Sequence, residues 1–177
     1  YHTKAVSTEI SDVLVNSPIP GYVYVYAMTE DGSVASAELK ARILASLSED
    51  WKRPLTDSVV VSDPGAVHYD IDLTYYIPSN TTLSSSEIEA NVAAAVEKYK
   101  AWQTARLGRD INPSKLIAML METGIKRVDV RSPTFTALQD GILDPRQTYI
   151  LEDTVPQVGL CDSTDTTRIV NGGVEDE

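Results

Sequence analysis

Alternating tyrosines and valines at residues 22–26 restrict the fold of this chain more than any other feature of its sequence. Successive side chains of a β-strand point to opposite faces, so the run predicts a strand over residues 22–28 with small apolar side chains on one face and tyrosines on the other. An exposed aromatic face must be covered by something. The strand therefore predicts a sheet with two faces that both need partners.

The residues before this strand predict a separate N-terminal piece. Residues 8–15 are typical of a short strand, and Ser17-Pro18-Ile19-Pro20-Gly21 predicts a turn. The first residues have neither an initiator Met nor the layout of a signal peptide. We therefore interpret residues 1–21 as a strand and linker that follow a missing upstream domain.

Residues 36–77 predict one helix and two further strands. Leu39, Ile43 and Leu47 recur at helical spacing, which predicts a helix from Ser36 to about Asp50 whose end Trp51 covers. Residues 53–57 predict a turn into a short strand at 59–61, and Asp63-Pro64-Gly65 predicts another turn. Residues 67–77 alternate apolar and polar side chains, as a half-buried strand does. A hairpin is the simplest connection between these two strands.

Helix signals dominate residues 84–124. Ser84 and Glu87 form a capping box, and apolar residues keep the helical period from there to Gly108. Asn112 as N-cap and Pro113 in the first turn predict a second, shorter helix that Gly124 ends. Residues 125–131 then predict a strand.

The order strand, helix, strand, strand, helix, strand over residues 22–131 predicts an α+β fold of the ferredoxin-like, split βαβ type. Right-handed crossovers place strand 125–131 beside 22–28, followed by 67–77 and 58–62, with both helices on one face. Residues 132–161 predict a C-terminal extension with one or two strands between about 147 and 160. The acidic segment 162–177 predicts a flexible tail.

Composition excludes several classes of function. A net charge of −11 and a pI near 4.6 oppose binding to nucleic acid or anionic lipid. No apolar run approaches the roughly 20 residues that span a bilayer. Cys161 with His2 and His68 supplies no zinc-ligand set and no internal disulfide. We predict no metal and no cofactor.

His68 and Asp70 are the best candidates for catalysis, since a histidine beside a carboxylate can act as a general base. The sequence has no nucleophile-elbow motif, and a solvated histidine on a strand is the better interpretation. Asp70 and Asp72 share a face, but no acidic loop or partner carboxylate makes them a cation site or a glycosidase pair. We predict that the chain is not an enzyme.

The open sheet face predicts an interaction surface with an aromatic centre and charged rims, as interfaces commonly have. Its candidate residues are Tyr22, Tyr24, Tyr26, Asp70, Asp72, Arg127, Asp129 and Arg131. Internal cover by segment 5–16 or segment 147–160 is the alternative, and the sequence leaves both open. An RNA platform is the less favoured interpretation, because the net charge opposes it and residues 22–28 lack the aromatic and basic signature of such a strand.

Several stretches, in order, resemble phage baseplate J-like proteins. They are residues 17–26, 53–61, 99–111, 112–116 and 124–130. The resemblance covers about residues 8–160 and corresponds to the C-terminal half of the family.

The resemblance implies a wedge component of a contractile-tail baseplate that contacts further copies of itself and neighbouring wedge proteins in a ring around the tube. It implies no catalytic residues, assembly in the bacterial cytoplasm and a final place in the virion. Phage-derived bacteriocins and related injection devices use the same family. The alternative function is a ferredoxin-like regulatory domain that binds a small molecule.

Overall fold

Three helices and eight strands make up the computed structural model, which describes residues 8–18, 20–30, 32–47, 58–138 and 155–176. The predicted α+β class is confirmed. In chain order the elements are β1 (Ile10–Asn16), β2 (Tyr22–Thr29), α1 (Ala37–Leu47), β3 (Ser58–Ser62), β4 (Gly65–His68), β5 (Ile71–Pro78), α2 (Ser85–Thr104), α3 (Pro113–Met121), β6 (Arg127–Ser132), β7 (Gln157–Leu160) and β8 (Thr167–Glu175).

The chain divides into two compact units that do not follow the predicted domain boundaries. Unit 1 comprises Tyr1–Ala66, Thr104–Arg109 and Leu138–Val158. Unit 2 comprises Val67–Gln103, Asp110–Ala137 and Gly159–Glu177. The predicted boundary after residue 21 falls between β1 and β2, which pair with each other in unit 1.

Unit 1 is built on a three-stranded sheet in the order β1-β2-β3. β1 runs antiparallel to β2, whereas β3 runs parallel to β2 after the crossover through α1. The small apolar side chains of β2 face the helix, as the alternation predicted. Val25 and Ala27 are buried with Leu39 and Ile43 of α1 in one core cluster.

Unit 2 contains a second sheet in the order β6-β5-β8. β6 is antiparallel to the central strand β5, and β8 is parallel to it. One face of β5 is buried, with Ile71, Leu73, Tyr75 and Ile77 at most 2% exposed. The residues between them are only partly buried, so β5 has the predicted apolar face and wetter face.

The predicted single ferredoxin-like sheet does not form, because its four strands lie in two sheets. A strand has only two hydrogen-bonding edges. β1 and β3 occupy both edges of β2, which leaves none for β6. β6 pairs with β5 instead, and β3 lies beside β2 rather than forming a hairpin with the following strand.

The alternating segment predicted as one strand over 67–77 is two strands. β4 ends at His68, and β5 begins at Ile71. β4 pairs with β7 in a third, two-stranded sheet, while β5 is the centre of the unit 2 sheet. Periodicity alone does not show this break, because Tyr69 and Asp70 keep the alternating pattern across it.

The predicted flexible tail is also wrong over most of its length. Residues 167–175 form β8, which pairs along the whole of β5. Asp70 holds its start, since the Asp70 carboxylate accepts a hydrogen bond from the backbone N–H of Thr166 at 2.8 Å. The β-branched pair Ile169 and Val170 was the strand signal in this segment.

The predicted helix signals are confirmed where local hydrogen bonds can be seen. Glu87 Oε2 accepts from the Ser84 backbone N–H at 2.8 Å, and Ser84 Oγ accepts from the Glu87 N–H at 3.3 Å. Asn112 Oδ1 accepts from the Ser114 N–H at 2.9 Å and so caps α3. Gly124 follows α3 with φ of +91°, a conformation that favours glycine.

Some predictions fall outside the described residues. They are the helix end at 48–50, the cover by Trp51, the turn at 53–57 and any strand between 139 and 154. Among the described helices, none is long and apolar enough to span a membrane.

Removing the α3 cap should lower stability. We expect Asn112→Ala to reduce the free energy of unfolding by about 1 kcal/mol, because the Ser114 N–H loses its acceptor. The matched control is Asn91→Ala at an exposed position inside α2, where alanine should be neutral or add up to about 0.5 kcal/mol. Urea unfolding of both variants measures the difference, and equal effects would contradict the cap.

Candidate interaction surface

The structure shows that the tyrosine face of β2 is covered within unit 1 at its C-terminal end, at Tyr26 and Met28. Tyr22 is 45% exposed, but Tyr26 is only 3% exposed. Tyr26 shares a buried cluster with Met28, Leu107 and Val158. The partly buried residues packed against this cluster are Leu14, Tyr24 and Val155.

Of the two interpretations left open for this face, internal cover therefore holds for Tyr26. Its cover includes Val155 and Val158, which belong to one of the two segments considered for that role. Burial raises the pKa of Tyr26, and the neighbouring Tyr24 raises it further by a smaller amount. Tyr26 cannot reach a partner in the folded chain, so its place among the predicted interface residues is corrected.

The opposite situation holds in unit 2, where one face of the β6-β5-β8 sheet carries polar and charged side chains. Residues paired in register project to the same face of a sheet. We call this surface the charged face. Its residues are Asp72, Thr74 and Tyr76 on β5, Arg127, Asp129 and Arg131 on β6, and Arg168, Val170, Gly172 and Glu175 on β8.

Arg131 joins two strands at one end of the charged face. Its Nε donates to Asp72 Oδ2 at 2.8 Å, its Nη2 donates to Asp72 Oδ1, and its Nη1 donates to Thr74 Oγ1 at 3.1 Å. This two-pronged geometry matches the planar guanidinium to the carboxylate. The side chains of Arg131 and Asp72 nevertheless remain 46% and 26% exposed.

Arg127 joins all three strands at the other end. Its guanidinium lies 3.6 Å from the centre of the Tyr76 ring, a cation–π contact. It donates to both carboxylate oxygens of Glu175 at 3.0 and 2.7 Å, and to Asp129 Oδ2 at 2.6 Å. Glycine is required at position 172, next to the Tyr76 ring, because a Cβ there would overlap that ring.

Hydrogen bonds favour the ionised form of two carboxylates on this face, Asp72 and Glu175. The bond from Arg131 lowers the pKa of Asp72, and the bonds from Arg127 lower the pKa of Glu175. The same contacts with Glu175 and Asp129 raise the pKa of Arg127. The ion pairs of Asp72 with Arg131 and of Glu175 with Arg127 therefore persist at neutral pH.

The structure brings together four of the eight predicted interface residues. Asp72, Arg127, Asp129 and Arg131 share the charged face. Tyr22, Tyr24 and Tyr26 belong to the sheet of unit 1, and Asp70 lies between β4 and β5, where it anchors the start of β8.

Sequence reasoning missed the contribution of β8 to this face. Arg168 and Glu175 were assigned to a flexible tail, so their pairing with β5 was not considered. The β-branched pair Ile169 and Val170 was the available signal.

His68 is the last residue of β4, and its side chain contacts the turn at 162–165. Its Nδ1 is 2.9 Å from Asp165 Oδ2, and not paired with Asp70 as the sequence suggested. Asp165 Oδ2 also accepts from the Asp162 backbone N–H at 3.0 Å, and Asp162 Oδ1 accepts from the N–H and hydroxyl of Thr164. Hydrogen bonds among Asp162, Thr164 and Asp165 thus stabilise the 162–165 turn that leads into β8.

The same cluster contains the described groups best placed for a metal ion. Ligand atoms of His68, Asp162 and Asp165 lie within 4.8 Å of one another. Asp162 and His68 are exposed, and the carboxylate oxygens already accept hydrogen bonds of the turn. These hydrogen bonds account for the cluster without a ligand, and among the residues that the structure describes no nucleophile is hydrogen-bonded to His68.

Comparisons with known proteins give matches along most of the chain. Residues 1–63 match the family described as Baseplate J-like central domain, and residues 69–143 match the Baseplate J-like protein C-terminal domain. The chain is 35% identical over 150 residues to Baseplate protein J of Escherichia phage P2, which covers 83% of this chain and 47% of that protein. The chain thus spans about half the length of this curated relative.

Substitutions in the tyrosine run should distinguish the buried Tyr26 from the exposed Tyr22. We expect Tyr26→Ala to lower the free energy of unfolding by about 3–5 kcal/mol, because it empties a buried site. Tyr22→Ala should cost less than about 1 kcal/mol, since its side chain is nearly half exposed. Chemical unfolding monitored by circular dichroism measures both, and equal losses would contradict the internal cover of Tyr26.

The His68–Asp165 contact should appear in the titration of His68. The hydrogen bond to Asp165 raises the pKa of His68 above its ordinary value of 6.5. A raised folded-state pKa means that the contact stabilises the fold fully below about pH 6.5 and loses this contribution as the pH rises through the folded-state pKa. NMR titration should show this raised pKa, with Asp165→Asn returning it towards 6.5 and Asp129→Asn as an unaffected control. A wild-type pKa at or below 6.5 would contradict the contact.

Proposed function

Because the chain belongs to the baseplate J-like protein family, we propose that it is a structural component of the baseplate of a contractile phage tail or a related injection device. It acts there through protein–protein contacts in the assembly of the baseplate wedges and ring. Its place is the virion tail, after assembly in the bacterial cytoplasm. The observation that carries this proposal is the ordered match to both the central and the C-terminal domain of the family.

The charged face supports a role in contact with other proteins. It has exposed guanidinium and carboxylate groups that are fixed by bonds within the sheet, so little side-chain entropy remains to be lost on binding. Arginine is enriched in protein interfaces, and an aromatic ring under Arg127 adds a rigid support. Neighbouring baseplate proteins and further copies of this chain are the proposed partners.

The surroundings of His68 support a function without catalysis. Its hydrogen-bond partner Asp165 is part of a turn, and this pair lies on an exposed surface rather than in a closed cavity. General-base catalysis needs a nucleophile within hydrogen-bond reach. The His68 contacts described above therefore favour a structural use of this residue.

Deletion and complementation in the tail gene cluster test the proposal. Removing the segment that encodes this chain should abolish assembled baseplates in electron micrographs, and the wild-type segment should restore them. His68→Ala should restore assembly fully, whereas Arg131→Glu should lower the yield of intact tails about tenfold by reversing a charge at the contact surface. Normal tails without the segment would refute the structural role, and failure of a folded His68→Ala variant would favour an enzyme.

A further inference from the structure

We infer that the outer edge of β8 pairs with an extended segment of a different protein, which adds a fourth strand to the unit 2 sheet and places a carboxylate beside Arg168. This inference rests on the proposed function, because it names the kind of contact that a neighbouring baseplate protein makes. The backbone groups at that edge and the unbalanced charge of Arg168 carry it.

The strand register shows which backbone groups of β8 face outwards. Ile71 pairs with Thr167, and the Ile71 N–H donates to the Thr166 carbonyl at 2.9 Å. In a parallel ladder this pattern directs the backbone groups of successive residues to opposite sides of the strand. The even-numbered residues up to 170 therefore bond to β5. The N–H and C=O groups of the odd-numbered residues point away from β5, and these residues are Thr167, Ile169 and Asn171.

This stretch of β8 has the features of an unprotected edge. β8 is the outer strand in the order β6-β5-β8, and among the described residues its one strand partner is β5. Residues 167–171 pair with β5 without a register shift and include no proline. Natural proteins usually protect an exposed edge with prolines, bulges or several charged side chains. We call residues 167–171 the open edge.

The opposite edge of the same sheet is better protected. β6 packs against α3, and its sequence carries three charged residues, Arg127, Asp129 and Arg131. Its pairing with β5 also shifts register between Asp72 and Leu73. These features oppose pairing with a further strand. An added strand is therefore better accommodated by β8.

Arg168 makes the open edge suitable for an acidic partner. Its side chain is exposed and lies near Asp72, whose pKa is lowered mainly by the bond from Arg131 and further by the charge of Arg168. Arg131 already occupies both oxygens of that carboxylate. Within the part of the chain that the structure describes, Arg168 forms no ion pair. A carboxylate on a strand beside β8 would supply this partner.

Ile169 indicates the rest of the partner's pattern. It pairs with Leu73, which is fully buried, but Ile169 itself is only partly buried. An apolar side chain on an added strand would cover its open side. Because side chains alternate along a strand, a segment with an apolar residue at every second position and a carboxylate between two of them fits both Ile169 and Arg168.

A different protein fits this edge better than a second copy of the chain does. Residues 167–171 contain neither Asp nor Glu. Two β8 strands that paired along their open edges would therefore leave both Arg168 side chains without a carboxylate. The acidic residue must come from another sequence.

A peptide titration of the full 177-residue chain tests the inference. The probe is a blocked nine-residue peptide in which threonine alternates with valine and glutamate replaces the central threonine, so that it reads alike in both directions. Heteronuclear NMR should show amide shifts at the open edge and the adjoining residues of β5. The same peptide with lysine at its centre should bind about fivefold more weakly, and Arg168→Glu should reverse this preference.

Asn171 offers a matched pair of variants for the backbone. Asn171→Pro removes an outward N–H and should weaken peptide binding at least about tenfold. Asn171→Ala is the control and should bind within about twofold of the wild type. Both variants lose the side-chain oxygen that accepts from the Gly173 N–H, but alanine keeps the edge N–H. If circular dichroism shows that Asn171→Pro is unfolded, Thr167→Pro with Thr167→Ala as its control replaces the pair.

Three results would overturn the inference. They are the absence of amide shifts at millimolar peptide, an equal loss of binding in the proline and alanine variants, and a wild-type dimer in sedimentation equilibrium that Asn171→Pro dissociates. The last result would mean that a second copy occupies the open edge.

These outcomes are separate from those of the proposed function. If the peptide does not bind and Asn171→Pro restores normal tails, this inference fails and the structural role stands. If the peptide binds as expected but tails assemble without the segment, the open edge is supported as a binding site and the structural role fails.

Discussion

The hydrogen-bonding edges of β5 are the constraint on which unit 2 depends. A central strand must satisfy its backbone groups on both sides, because buried N–H and C=O groups without partners are costly. β6 and β8 supply those partners from positions much later in the chain. Their arrival also creates the charged face, since Asp72, Arg127, Arg131 and Glu175 come from three different strands. The surface proposed for assembly is thus a product of strand order, not of any local motif.

The same constraint explains what the sequence could predict. The capping box at Ser84 and the cap at Asn112 depend on residues two or three positions apart, and both were predicted correctly. The alternation in β2 and β5 correctly identified their buried faces. Choosing the neighbour of β6 requires knowledge of which edges are already occupied, and this depends on residues 50 or more positions away.

The site could be predicted only in part for a related reason. Period-two alternation placed Asp72 on a wetter face, and the same pattern placed Arg127, Asp129 and Arg131 together. The tyrosine run could not be assigned, because its cover comes from Leu107 and Val158, which lie far away in sequence. The glycines and acidic residues at 172–176 are typical of a flexible tail, so β8 was not predicted. Gly172 is nevertheless part of the strand, where it leaves room for the Tyr76 ring.

The parallel pairing of β5 with β8 has a consequence for synthesis. Tyr75 pairs with Asn171, so almost a hundred residues separate the two strands. During translation β5 leaves the ribosome before both of its partner strands, and the edge that pairs with β8 stays open until β8 has followed. An open edge of this kind can pair with another chain, and such distant contacts form slowly. Newly made copies therefore pass through a stage at which they are prone to aggregate, before the sheet of unit 2 is complete.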